Sequence, residues 1–159
     1  MILNKDNSSC DIIIKNAELI SSLYNNETFL NTFEEGTIGI LKRLSEHVYI
    51  VKEAKKVEGV NKLNNQGKFI ISRELSFSLL KLCKEKSLIP IIGHTHPINY
   101  KDLFVSFSEG DMKFIDSFVN VARKMEIYES LFMVTNGIYT CNLFYLNDKV
   151  YKWTEKELM

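Results

Sequence analysis

His94-Thr95-His96-Pro97 closes an apolar run, Leu88-Ile89-Pro90-Ile91-Ile92-Gly93. Side chains two apart on an extended strand point to the same face, so His94 and His96 can both reach one ion. Pro97 has no backbone N–H to donate, and the strand is expected to end there. Further on, Ser108-Glu109-Gly110-Asp111 opens a stretch with helical apolar periodicity. Ser-x-x-Asp is close to a capping box, with Asp in place of the usual Glu or Gln, which puts Asp111 in a first helical turn. A carboxylate held there is rigid enough to serve as a ligand. Two imidazoles and one carboxylate make a three-ligand zinc site whose fourth position is open to water, as catalytic zinc requires. Asp102 and Glu109 are competing acids for the third place.

His-x-His-Pro, a loop, then Ser-x-x-Asp resembles the JAMM motif of the MPN/JAB metalloproteases. In that family the two His and the Asp bind zinc, the Ser supports the oxyanion, and a Glu on an earlier strand is the general base. The resemblance therefore implies His94, His96 and Asp111 as ligands and Ser108 as the oxyanion donor. The family's upstream signature, similar to Glu-Thr-Gly-Gly-Ile-Leu, is matched by Glu34-Glu35-Gly36-Thr37-Ile38-Gly39-Ile40-Leu41. Aligning Gly36 with the family's glycine selects Glu34 as the base. Glu35, which would face the other side of a strand, is the alternative. Ten residues, 98–107, separate Pro97 from Ser108. That is longer than is usual in the family, at little cost in closure entropy.

The resemblance covers about residues 12–146. It implies a single MPN/JAB-like domain over 1–159, with a curved mixed β-sheet flanked by about three helices. It further implies a zinc-dependent peptidase or isopeptidase acting at the C-terminal glycine of a ubiquitin-like modifier, which is then the expected partner. Small bacterial members resemble trimming enzymes of ubiquitin-like conjugation systems, some of them antiviral. Within the same family, processing of a sulfur-carrier precursor and a non-catalytic MPN scaffold are the alternatives. A scaffold would have lost ligands, whereas both His, the Ser, the Asp and a candidate Glu are present here. A deaminase would need a Pro-Cys-x-x-Cys partner, which this chain lacks.

Composition narrows the partners. With 20 basic and 20 acidic residues interspersed, there is no basic stripe of the kind a nucleic-acid binder shows. Cys10, Cys83 and Cys141 are odd in number and widely spaced, which favours reduced, buried thiols over disulfides or a Cys zinc site. Neither a secretory signal nor a membrane-length apolar run is visible, so a cytoplasmic protein is expected.

The elements that must position these residues read as α/β. Ile12-Ile13-Ile14 is a short strand, and Asn16 is expected to cap a helix from 17 to about 31, with Leu19, Ile20, Leu23 and Tyr24 on one face. Strands follow at 37–41 and 47–51; His47 is assigned no role. Residues 61–68 read as a loop and 68–71 as a short extended piece. Ser72 caps a helix from 73 to about 86 with Leu75, Leu79, Leu80 and Cys83 as its buried stripe. A third helix spans about 108–125, burying Phe114, Ile115, Phe118, Val119 and Ala122. A strand at 131–135 returns through Asn136-Gly137 as a hairpin, and Asn147-Asp148 turns the chain again. The apolar loop 98–107 either packs on the core or lines a substrate groove.

Overall fold

The computed structural model describes residues 2–3, 12–24, 29, 34–58 and 69–156. Among them the elements follow in the order β1 (Ile2–Leu3), β2 (Ile12–Lys15), α1 (Glu18–Ser21), β3 (Gly36–Ser45) and β4 (Val48–Val57). Then come α2 (Arg73–Lys86), β5 (Ile89–Thr95), α3 (Glu109–Lys124), β6 (Glu129–Thr135), β7 (Tyr139–Leu146) and β8 (Lys149–Lys156). The strands form one mixed sheet, ordered β1-β2-β4-β3-β5-β6-β7-β8. β2 runs parallel to β4 and β5 parallel to β6; the other neighbours are antiparallel. The expected α/β class with a mixed sheet and three helices is what the described residues adopt.

β5 lies in the middle because its residues tolerate water on neither face. Ile89 through Gly93 are all buried, as a strand covered on both sides demands. Alternation then splits the core. Ile89 and Ile91 join Leu131, Phe144 and Trp153 on one face, while Ile92 and Phe132 meet Leu79, Leu80, Ile115 and Phe118 of the helices on the other. His94, two residues beyond Ile92, continues the helix-facing row.

Both long helices start and stop on local signals. Ser72 Oγ accepts the Leu75 N–H at 3.1 Å, and Ser87, left-handed at φ 55°, ends α2. Ser108 and Asp111 close a reciprocal capping box on α3. These boundaries match the expectation to within a residue, as do their buried stripes, except that Leu75 and Phe114 are only partly buried.

Elsewhere the expectation needs correcting. The helix foreseen from 17 to about 31 is a single turn, Glu18–Ser21, and the part past Tyr24 lies outside the described residues except for Phe29. Asn16 does not cap it. Its φ of 60° makes it a turn residue leaving β2, and no side chain caps α1. Of the supposed stripe, Ile20 and Tyr24 are buried but Leu19 is 40% exposed, so a 3.6-residue apolar period here did not mean a long packed helix. Residues 69–71 form no strand, and Glu34 and Glu35 precede β3 rather than lying in it. The expected loop at 61–68 is outside the described residues. Cys83 and Cys141 are free and buried, and burial pushes the Cys83 thiol up to about 12. Among the described residues no helix is long and apolar enough to cross a membrane.

The packing of α2 on the sheet gives a direct stability test. Leu80 is 1% exposed and Phe77, on the same helix, 56%. Leu80→Ala should lower the unfolding free energy by about 2–5 kcal/mol through lost burial and a residual cavity. Phe77→Ala should change it by no more than about 0.5 kcal/mol. Urea denaturation of the two variants checks this.

Candidate metal centre

Four side chains from three separate stretches meet at the end of β5. His94 is on the strand. His96 lies just past it, its N–H still bonded to the Thr135 carbonyl at 2.9 Å, so the extended geometry persists one residue beyond Thr95. Asp111 occupies the third position of α3, where its Oδ2 accepts the Ser108 N–H at 2.8 Å while Ser108 Oγ accepts the Asp111 N–H at 3.1 Å. Glu34 comes from the segment entering β3. Thr95, the residue between the histidines, ties that segment down. Its Oγ1 accepts the Glu35 N–H at 2.8 Å, and its own N–H donates to the Glu35 carbonyl at 2.9 Å.

His94 Nε2 and His96 Nε2 are 3.1 Å apart, and Asp111 Oδ2 is 3.2 Å from each. Glu34 Oε2 stands 3.5 Å from His96 Nε2, and its Oε1 accepts the Phe69 N–H at 2.9 Å. Donor atoms of Glu34, His94 and His96 lie within 4.8 Å of one another, so this group can hold a metal ion. Asp111 adds a fourth donor, closer to both imidazoles than Glu34 is to His96. The near-equilateral triangle of His94, His96 and Asp111 atoms fits an ion well. A tetrahedral centre with bonds of about 2.0–2.1 Å has donor–donor edges of about 3.3 Å. Two imidazole nitrogens facing one point also need a shared proton or cation between their lone pairs.

The surroundings are apolar. The four side chains are only 10–20% exposed and border a cleft of about 260 Å³ walled by Phe69, Ile70, Phe107 and Phe114. Burial by itself would raise the Asp111 carboxyl. The hydrogen bonds to His94 and His96, the field of His94 and the Ser108 N–H together outweigh it and hold that carboxyl far below the ordinary carboxylate range.

The other candidates fall outside this cluster. Glu35 turns to Lys56 Nζ at 3.5 Å. Asp102 Oδ1 accepts the Phe104 N–H within its own loop, and Glu109 lies in solvent 3.6 Å from Lys113 Nζ. Ser108 lines the cleft; because its Oγ accepts the helix N–H, its proton remains free to donate elsewhere. The apolar loop 98–107 divides its duties. Val105 is buried in the core, Phe107 walls the cleft, and Phe104 is exposed while stacking on Tyr139 with ring centroids 4.6 Å apart. Sequence reasoning missed Phe69 and Thr95. Thr95 had a readable signal, since its alternation turns it away from the histidines; Phe69 had none.

Comparison with protein-family models finds no match, and none is found among the curated proteins. The capacity to hold an ion therefore rests on the donor atoms themselves, and can be measured. His96→Ala should lose tight binding of a divalent ion, because it removes one of the two imidazoles on which the carboxylates converge. Asp102→Ala should keep full occupancy, whereas Asp111→Ala should not. Metal content after equilibrium dialysis against zinc checks all three; full occupancy in His96→Ala would reject this centre.

Proposed function

We propose that the chain is a zinc-dependent hydrolase of the JAMM type, cleaving the peptide or isopeptide bond after the C-terminal glycine of a ubiquitin-like modifier. The observation that carries this reading is the convergence of His94, His96 and Asp111 on one point with Glu34 beside it. The histidine pair ends β5, while Glu34 and Asp111 come from other parts of the chain, in the sequence order of the motif. Imidazole and carboxylate donors suit zinc among the biologically common ions. Bound there, zinc supplies Lewis acidity that polarises a carbonyl and makes water nucleophilic near neutral pH.

The chain's own residues do the rest. By the resemblance, His94, His96 and Asp111 would hold the ion and Glu34 would carry the proton. Glu34 is held by the Phe69 N–H through one oxygen, and its other oxygen faces the His96 side of the cleft. It accepts a proton from the attacking water and returns it to the departing amine, a contribution commonly worth about 10²–10⁴ in rate. Ser108 donates to the carbonyl oxygen as negative charge gathers there; removing one such donor costs about 3–4 kcal/mol in other hydrolases. The apolar walls lower the polarity around these groups, which strengthens each of these polar contacts.

Glu34→Gln should keep one zinc per chain, unfold near the wild-type temperature, and cleave a ubiquitin-like protein joined by its C-terminal glycine to a lysine about 10²–10⁴ times more slowly. Glu35→Gln should remain largely active, as its carboxylate faces Lys56. Undiminished turnover in Glu34→Gln would reject the mechanism, and the reverse pattern would move the base to Glu35.

A further inference from the structure

Gly36 and His94 are directly opposed across the β3–β5 pair, so side chains at both positions would share one face. Gly36 has none, and the Phe69 ring takes that space. A side chain at Gly36 would collide with Phe69 Cζ. The same ring is stacked against the His94 imidazole, with centroids 6.4 Å apart and planes inclined by 16°. The backbone N–H of this residue is the one that donates to Glu34 Oε1 at 2.9 Å. Ring and amide thus touch two members of the metal cluster from a stretch with no helix or strand of its own.

We propose that Phe69 is the positioning residue for Glu34. Its ring, wedged into the gap at Gly36 beside His94, fixes the backbone so that its N–H pins one Glu34 oxygen and leaves the other facing His96. A glutamate with several free torsions would otherwise spread over many rotamers, and a reacting group must be held to within about 0.5 Å to act. A neighbour that orients a ligand or base is worth about 10–100-fold when lost at other metal sites. Gly36 serves the same purpose, because any larger residue there displaces the ring. The contact itself stands on geometry; its consequence for turnover rests on the hydrolase reading.

The test separates the two. In ¹⁵N-labelled protein, Glu34→Ala should shift the Phe69 amide proton upfield and speed its exchange at least tenfold, while Glu35→Ala leaves both as in the wild type. With the zinc-loaded protein and the ubiquitin-like conjugate, Phe69→Ala and Gly36→Ala should each lower kcat at least tenfold. KM and zinc content should stay within twofold, and Phe69→Tyr should restore the rate. Should Gly36→Ala not fold, the Phe69→Ala and Phe69→Tyr pair carries the measurement. An unchanged Phe69 amide in Glu34→Ala, or a wild-type kcat in zinc-loaded Phe69→Ala, overturns the proposal. Wild-type protein inactive on every conjugate would sink the hydrolase reading alone, since the amide comparison still decides the contact.

Discussion

One oxygen answers two demands. Asp111 Oδ2 takes the Ser108 N–H and also sits 3.2 Å from both imidazole nitrogens. A carboxylate in the first turn of a helix is favoured by the positive end of the backbone dipole, and here the capping box fixes its direction as well. That single placement constrains much of the neighbourhood. β5 must carry His94 to the same level, α3 must begin at Glu109, and the loop between them must span the gap without pulling either away. The loop is anchored accordingly. Val105 is buried, and Asn136 Nδ2 donates to the Leu103 carbonyl at 2.8 Å.

What was legible in the sequence was what depends on near neighbours. His94 and His96 share a face because strand side chains repeat every second residue, and Ser108 and Asp111 find each other because three residues make a helical turn. Ser72 and the limits of α2 follow the same logic. Glu34 was reachable only through its resemblance to a motif, as nothing local connects it to residues sixty positions later. The first helix shows the limit from the other side. Leu19, Ile20, Leu23 and Tyr24 have helical spacing, yet Asn16 adopts a left-handed turn and the helix lasts one turn. Spacing states which residues could share a face; the packing partner determines whether the face is used.

Gly36 and Phe69 lie beyond that horizon for a different reason. A glycine before an apolar strand reads as permission for close approach, but not by what. Only when β3 pairs with β5 does the missing side chain at Gly36 become a gap next to His94, and only the path of the chain into α2 brings an aromatic ring to fill it. Thr95 is an intermediate case. Its side-chain direction is set by strand alternation, while its partner, the Glu35 backbone, is set by tertiary structure.

The cluster also bears on how an ion and the fold support each other. Two carboxylates and two imidazoles in a mostly apolar cleft are unfavourable unless each polar atom is occupied. The protein meets part of that need by itself. The Ser108 N–H serves Asp111, the Phe69 N–H serves Glu34, and Thr95 secures the strand entry. The imidazole Nε2 atoms face each other at 3.1 Å and each lies 3.2 Å from Asp111 Oδ2. The carboxylates are thus held by the backbone independently of any ion, and Asp111 Oδ2 lies within reach of both imidazoles. With the carboxylates tied to the backbone in this way, an ion held by the cluster would add stability in proportion to its affinity for the folded state.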